Sequence, residues 1–162
     1  MAFDSEKFKQ VLGRWATGVT IVTTRHEGLI HGMTVSAFNE VSLDPPLVLV
    51  CADKSSDTHA VIGRGEVFAV NLLAEGQQDL SNRFARSKDE HLRFEGLECK
   101  DGATGCPHIP GALGTLDCRV VQVVEAGDHV IYIGEVEAAD AHDHEPLLYF
   151  RGRYGLFRVA EG

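Results

Sequence analysis

Short runs of β-branched and apolar residues recur along this chain, and turn signals join most of them in pairs. No other feature limits the possible folds as much. Val19-Thr20-Ile21-Val22-Thr23-Thr24 is β-branched at every position, which suits a pleated surface. Glu27-Gly28 makes a turn, and Ile30 to Phe38 reads as the returning strand. Glu40 to Leu43 stays extended until Asp44-Pro45-Pro46 interrupts it. Leu47-Val48-Leu49-Val50-Cys51 is a continuous apolar run, expected as a central strand buried on both faces. Val67 to Leu73 is a further strand. Leu116 to Val124 and Val130 to Val136 flank Glu125-Ala126-Gly127-Asp128, a hairpin signal. Leu147 to Phe150 and Tyr154 to Val159 close the chain around Arg151-Gly152-Arg153.

Helical periodicity is sparser. Phe8, Val11, Leu12 and Trp15 follow i, i+3, i+4, i+7 spacing, with Asp4 or Ser5 as cap and Gly18 as the expected end. A short helix is expected from about Thr58 to Ile62, closed by Gly63 or Gly65, and another from Gly76 to Ala85 with Leu80 and Phe84 on one face. Residues 86–111 read as irregular and rich in charge, Gly and Pro. The helices do not alternate with the strands, which disfavours a doubly wound parallel sheet. So many strands in one domain are best served by a closed or nearly closed barrel, which removes sheet edges. The expectation is one mainly β domain over residues 1–162: an antiparallel barrel flanked by short helices.

The net charge of −9 repels phosphate backbones and anionic lipid, so neither nucleic acid nor a membrane surface is an expected partner. No run approaches the roughly 20 apolar residues of a membrane-spanning helix. The start, Met1-Ala2-Phe3-Asp4-Ser5-Glu6, lacks the regions of a signal peptide, so a soluble cytoplasmic protein is expected. Cys51, Cys99, Cys106 and Cys118 form no CxxC pair and read as free thiols. Cys99, Cys106 and His108 cluster in one loop, but a structural zinc wants about four ligands, and no metal is expected. Walker, GxSxG and HExxH motifs are absent. Hydride transfer between bound cofactors needs no protein nucleophile and would leave such a blank.

Four segments could carry chemistry. Gly32-Met33-Thr34-Val35-Ser36-Ala37-Phe38 offers small residues, hydroxyls and main-chain N–H groups to a planar ligand, or it is a strand with a wet face. Asp53-Lys54-Ser55-Ser56-Asp57-Thr58 joins a strand to a helix start, where free N–H groups bind anions, or it is a plain cap. Arg83-Phe84 pairs a cation with an aromatic, and equally reads as a surface Arg beside a core Phe. Gly127-Asp128-His129 sits at a hairpin tip, where the His is functional or incidental.

Taken together, the order and spacing of these segments resemble the flavin reductase-like family, the small reductase components of two-component flavin-dependent monooxygenases. The resemblance is carried by Trp15-Ala16-Thr17-Gly18-Val19-Thr20-Ile21-Val22-Thr23, Gly32 to Phe38, and Ser42-Leu43-Asp44-Pro45-Pro46-Leu47-Val48. It continues through Asp53 to Ser56, Phe68-Ala69-Val70-Asn71-Leu72-Leu73, Gly127 to His129 and Leu147 to Tyr154. Residues 86–111 carry least of it. It implies a split β-barrel of Greek-key type, usually a homodimer, which binds FMN or FAD and takes hydride from NADH or NADPH. A partner monooxygenase would receive the reduced flavin. It implies that Met33, Thr34, Val35, Ser36 and Ala37 line the flavin, with Cys51 and Ala52 near the ring edge. Lys54, Ser55 and Ser56 would hold the phosphate, and Arg83 with Phe84 would complete that end. His129 would face the nicotinamide as the catalytic-site residue, and Tyr154 would wall the same pocket. A reductase of ferric iron or a cobalt corrinoid, or a non-catalytic flavin-binding module, would keep the same flavin site.

Overall fold

The computed structural model describes residues 2–160. Its first hairpin joins β2 (Thr20–His26) to β3 (Leu29–Val35) through Glu27-Gly28, both at positive φ. A second joins β4 (Phe38–Leu43) to β5 (Pro46–Asp53), and a third joins β9 (Gly114–Ala126) to β10 (His129–Ala141). With β6 (Val67–Leu72) they make one antiparallel sheet of seven strands in the order β3-β2-β6-β9-β10-β5-β4.

The two outermost strands, β3 and β4, are consecutive in the chain, separated by Ser36-Ala37 alone. Their ends therefore meet. Met33 and Val35 of β3 share one core with Val48 and Val50 of β5. The sheet is thus an antiparallel barrel split between β3 and β4. Phe68, Val70, Cys118, Val130 and Tyr132 fill the same interior, and Ile62 from α2 (Asp57–Gly65) packs against it. A second core lies outside the barrel. It buries Ile21 and Leu73 against Phe84 of α3 (Gln78–Ala85), together with Ile109 and Leu147. A small sheet of β1 (Thr17–Gly18), β11 (Leu147–Phe150) and β12 (Arg153–Leu156) flanks this core. Among the described residues no helix is long and apolar enough to cross a membrane.

Several boundaries differ from the sequence expectation. The first helix, α1 (Ser5–Leu12), begins at the Asp4 cap but ends at Gly13 rather than Gly18, so Trp15 stands 75% exposed beyond it. Ile30 to Phe38 is not one strand, because the chain turns at Ser36-Ala37 to start β4. The strand expected to be buried on both faces, β5, buries only Val48, Val50 and Ala52, while Leu47, Leu49 and Cys51 are half-buried on the outer face. Burial on both faces belongs to β2 and β6, which α3 and the long loop cover from outside. Neither Gly63 nor Gly65 stops α2, which is closed by Glu66 in the left-handed conformation. The third hairpin is longer than expected, thirteen residues on each side.

Residues 86–111 are largely irregular, with a 3-10 turn at Glu90–Leu92 and a two-residue ribbon of β7 (Lys100–Asp101) and β8 (Pro107–His108). Buried polar groups pin this loop to the barrel. Thr23 donates to the Pro107 carbonyl at 2.6 Å, and the Ile109 N–H donates to Asn71 Oδ1 at 2.8 Å. Asp117 on β9 accepts from the Thr104 hydroxyl and pairs with His108 Nε2, both at 2.8 Å. His108 is committed to that contact, and among the described residues no three His, Cys, Asp or Glu side chains are placed to hold a metal ion.

Candidate functional site

A cleft of about 460 Å³ opens where β3, the β5–α2 turn and α3 converge. That volume lies in the range of small-molecule pockets. Met33 and Thr34 on β3 and Ser36 at the barrel split form one wall. Asp53, Ser55 and Ser56 close one end, and Ser81, Asn82 and Phe84 on α3 stand opposite. Tyr149 on β11 and Tyr154 on β12 complete it, their rings edge to face at 5.4 Å. A second cleft of about 680 Å³ meets the first at Val19, Ser36 and Tyr149, and runs along Ala37 and Phe38 towards Leu12 and Trp15.

Hydrogen bonds fix the walls. The Thr34 hydroxyl donates to the Ser81 carbonyl at 2.6 Å, tying β3 to α3. The Tyr154 hydroxyl contacts Ser81 Oγ at 2.9 Å and Asn82 Oδ1 at 2.8 Å, tying β12 to the same helix. Phe84 is fully buried and meets Phe94 edge to face at 5.0 Å. Both rings lie over Gly32, where a Cβ would come within 3.0 Å of Phe84 and 3.1 Å of Phe94. Glycine is what lets the aromatic pair seat against β3.

The β5–α2 turn closes on itself. Asp53 Oδ1 accepts the Ser55 N–H at 2.8 Å and the Ser55 hydroxyl at 2.7 Å. These bonds hold the Asp53 carboxyl below the usual carboxylate range. Ser56 caps α2, accepting the His59 N–H at 3.1 Å and donating to the Asp53 carbonyl at 2.9 Å. Lys54 pairs with Glu125 on the third hairpin.

His129 opens β10, with its Cα paired to that of Asp53, so it stands beside the same turn. Its Nδ1 lies 2.7 Å from Asp128 Oδ1. That contact pulls the Asp128 carboxyl down. A carboxylate only accepts, so Nδ1 carries a proton towards Asp128 and Nε2 points away from that contact.

The structure therefore gathers Met33, Thr34, Ser36, Ser55, Ser56, Phe84 and Tyr154 around one cleft. Ala37 lines the adjoining cleft. Val35 and Ala52 face the barrel interior and are buried, so only their backbone can meet a ligand. Cys51 is half-buried on the outer face, and burial pushes its thiol up. Arg83 does not line the cleft. Its guanidinium donates to the Leu92 carbonyl at 2.6 Å and the Glu95 carbonyl at 2.5 Å, stapling the loop after α3. The sequence motifs do not single out Ser81, Asn82, Ser87, Glu90 or Arg93, which also line the cleft, and Tyr149, within the Leu147 to Tyr154 motif, is not among the expected site residues. Spacing gave no signal for Glu90 and Arg93, which sit in the irregular loop.

An apolar and aromatic floor with hydroxyl and amide groups along it fits a ligand that is part planar ring and part polyol. A split antiparallel barrel with a ligand-sized cleft beside its split is the class of fold that the chain adopts. The chain belongs to the flavin reductase-like family, whose domain model matches residues 12–157. It is 40% identical to the flavin-dependent monooxygenase reductase subunit HsaB of Rhodococcus jostii, over 94% of this chain and 78% of that protein. It is 43% identical to the FMN reductase (NADH) SmoA of Agrobacterium fabrum, over 95% of this chain and 87% of that protein. The NADH:FAD oxidoreductase SgcE6 of Streptomyces globisporus, solved with NAD and FAD fragments, superposes with a TM-score of 0.89 at 35% identity. That match covers 96% of this chain and 93% of SgcE6.

Proposed function

We infer that this chain is an NAD(P)H:flavin oxidoreductase that reduces FMN or FAD in the cleft between β3, the β5–α2 turn and α3. The observation that carries the reading is the convergence in that cleft of three segments singled out from sequence: Met33, Thr34 and Ser36 of the first, Ser55-Ser56 of the second and Phe84 of the third. Relatives that match nearly the full chain are flavin reductases, and their names include both FMN and FAD. Met33, Tyr149 and Tyr154 give the flavin an apolar and aromatic wall, with the buried Phe84 packed behind it. Thr34, Ser36, Ser55 and Ser56 offer hydroxyls and backbone groups to its polyol and phosphate. When bound, the flavin supplies the hydride acceptor. The chain's own residues bind, orient and exclude water, since effective alignment of two rings is the main requirement.

His129 takes the nicotinamide side. Held by Asp128, its Nε2 accepts from a carboxamide N–H and orients the dinucleotide without abstracting a proton. His129→Ala should lower kcat/KM for the dinucleotide by about one to two decades while flavin affinity stays within a factor of about two. Loss of flavin binding with unchanged dinucleotide affinity would move His129 into the flavin pocket.

The reduced flavin is passed to a partner monooxygenase, in keeping with the reductase-subunit relative. The working form is a homodimer. Leu49 and Cys51 on β5 pair with Ile133 and Ile131 on β10, leaving an apolar outer face half-covered. Its need for a reduced nicotinamide pool puts the reaction in the cytoplasm.

A further inference from the structure

The charged side chains lining the 460 Å³ cleft are Asp53, Glu90 and Arg93, so among the described residues Arg93 is the only cation there. The two basic residues expected at the phosphate end are engaged elsewhere, Lys54 on Glu125 and Arg83 on the Leu92 and Glu95 carbonyls. The Arg93 side chain is only 5% exposed. Its Nη1 donates to the Gly32 carbonyl on β3 at 2.8 Å, and its Nη2 contacts the Arg86 carbonyl and Glu90 Oε1, the latter at 3.1 Å. Its Nε and the second oxygen of Glu90 are buried without partners. A buried cation and carboxylate in this state act on their surroundings as charges little screened by water.

We propose that Arg93 is a positioning residue for flavin binding: it neutralises Glu90 in the cleft wall and anchors that wall to Gly32, so the anionic end of the flavin is accepted. The proposal rests on the flavin-reductase reading of the same cleft. Without Arg93, two carboxylates would face an incoming phosphate with no cation between them. The effect should depend on the ligand's charge. FMN carries a phosphate and riboflavin does not, yet both present the same ring and ribityl chain. A purely structural role would weaken both alike.

The test is equilibrium binding of FMN and of riboflavin, by flavin fluorescence, to the full chain and its variants at neutral pH. Arg93→Met should weaken FMN about tenfold more than riboflavin, as expected for an uncompensated charge in a poorly solvated wall. Arg93→Lys, which keeps the charge, should hold the FMN-to-riboflavin ratio near that of the parent. Arg93→Met combined with Glu90→Gln should restore most of the lost FMN preference. Glu90→Gln alone should shift the FMN-to-riboflavin affinity ratio several-fold in favour of FMN. Equal losses for the two ligands, no rescue by Glu90→Gln, or an unaltered ratio in the single Glu90 variant would overturn the proposal. A parent protein that binds neither ligand would instead overturn the flavin reading itself.

Discussion

Gly134 on β10 shows how closely the barrel interior is packed. A Cβ there would come within 2.6 Å of Phe68 Cζ and 2.8 Å of Cys118 Cβ. Both neighbours are fully buried, and burial pushes the Cys118 thiol up to about 12. Gly134→Ala should therefore destabilise the fold by about 1–3 kcal/mol, the usual cost of overpacking. Denaturant unfolding checks this, with a lowered midpoint and unchanged slope expected. A midpoint equal to the parent's would mean that Phe68 can move aside. Gly32 was already singled out in the sequence. What the sequence could not supply was the reason for its place, because Phe84 and Phe94 lie more than fifty residues downstream and reach it only after folding.

At the scale of elements, the β5–α2 turn carries the most chemistry. Asp53 is a fully exposed carboxylate whose folded pKa is lowered, chiefly by the Ser55 hydrogen bonds. Its contribution to the turn is therefore complete above the ordinary carboxylate pKa, and is lost as the pH falls through the lowered folded value. The Ser55 amide should be protected from exchange near neutrality and lose protection only at a pH below the ordinary carboxylate pKa. Hydrogen exchange at Ser55 followed by NMR measures this, and protection that persists after Asp53 protonates would contradict it. The turn itself was legible, since a Ser or Asp ahead of a helix is a strong local signal. The partner of Lys54 was not, because Glu125 reaches it through the pairing of β10 with β5. Hairpins were legible for the same local reason, whereas the faces that became buried were not. The apolar run of β5 looked central, yet α3 and the loop at 86–111 cover β2 and β6 instead. Glu90 and Arg93 lie in that loop, which has no period to read.

At the scale of the molecule, the outer face of β5 and β10 leaves Leu49, Ile131 and Ile133 half-covered, and α1 presents Phe8, Val11 and Leu12 to solvent. Apolar side chains left uncovered in this way suit the proposed subunit interface. Sedimentation at micromolar concentration should give a dimer, and a strict monomer would contradict the homodimer. The barrel and its cleft matter to function through one reaction. The most direct measurement is anaerobic mixing of the protein with each pairing of NADH or NADPH with FMN or FAD, following the flavin's visible absorbance. For at least one pairing the flavin should bleach far faster with protein than without, and dinucleotide and flavin should be consumed in equal amounts. Bleaching no faster than in protein-free controls for every pairing would contradict it.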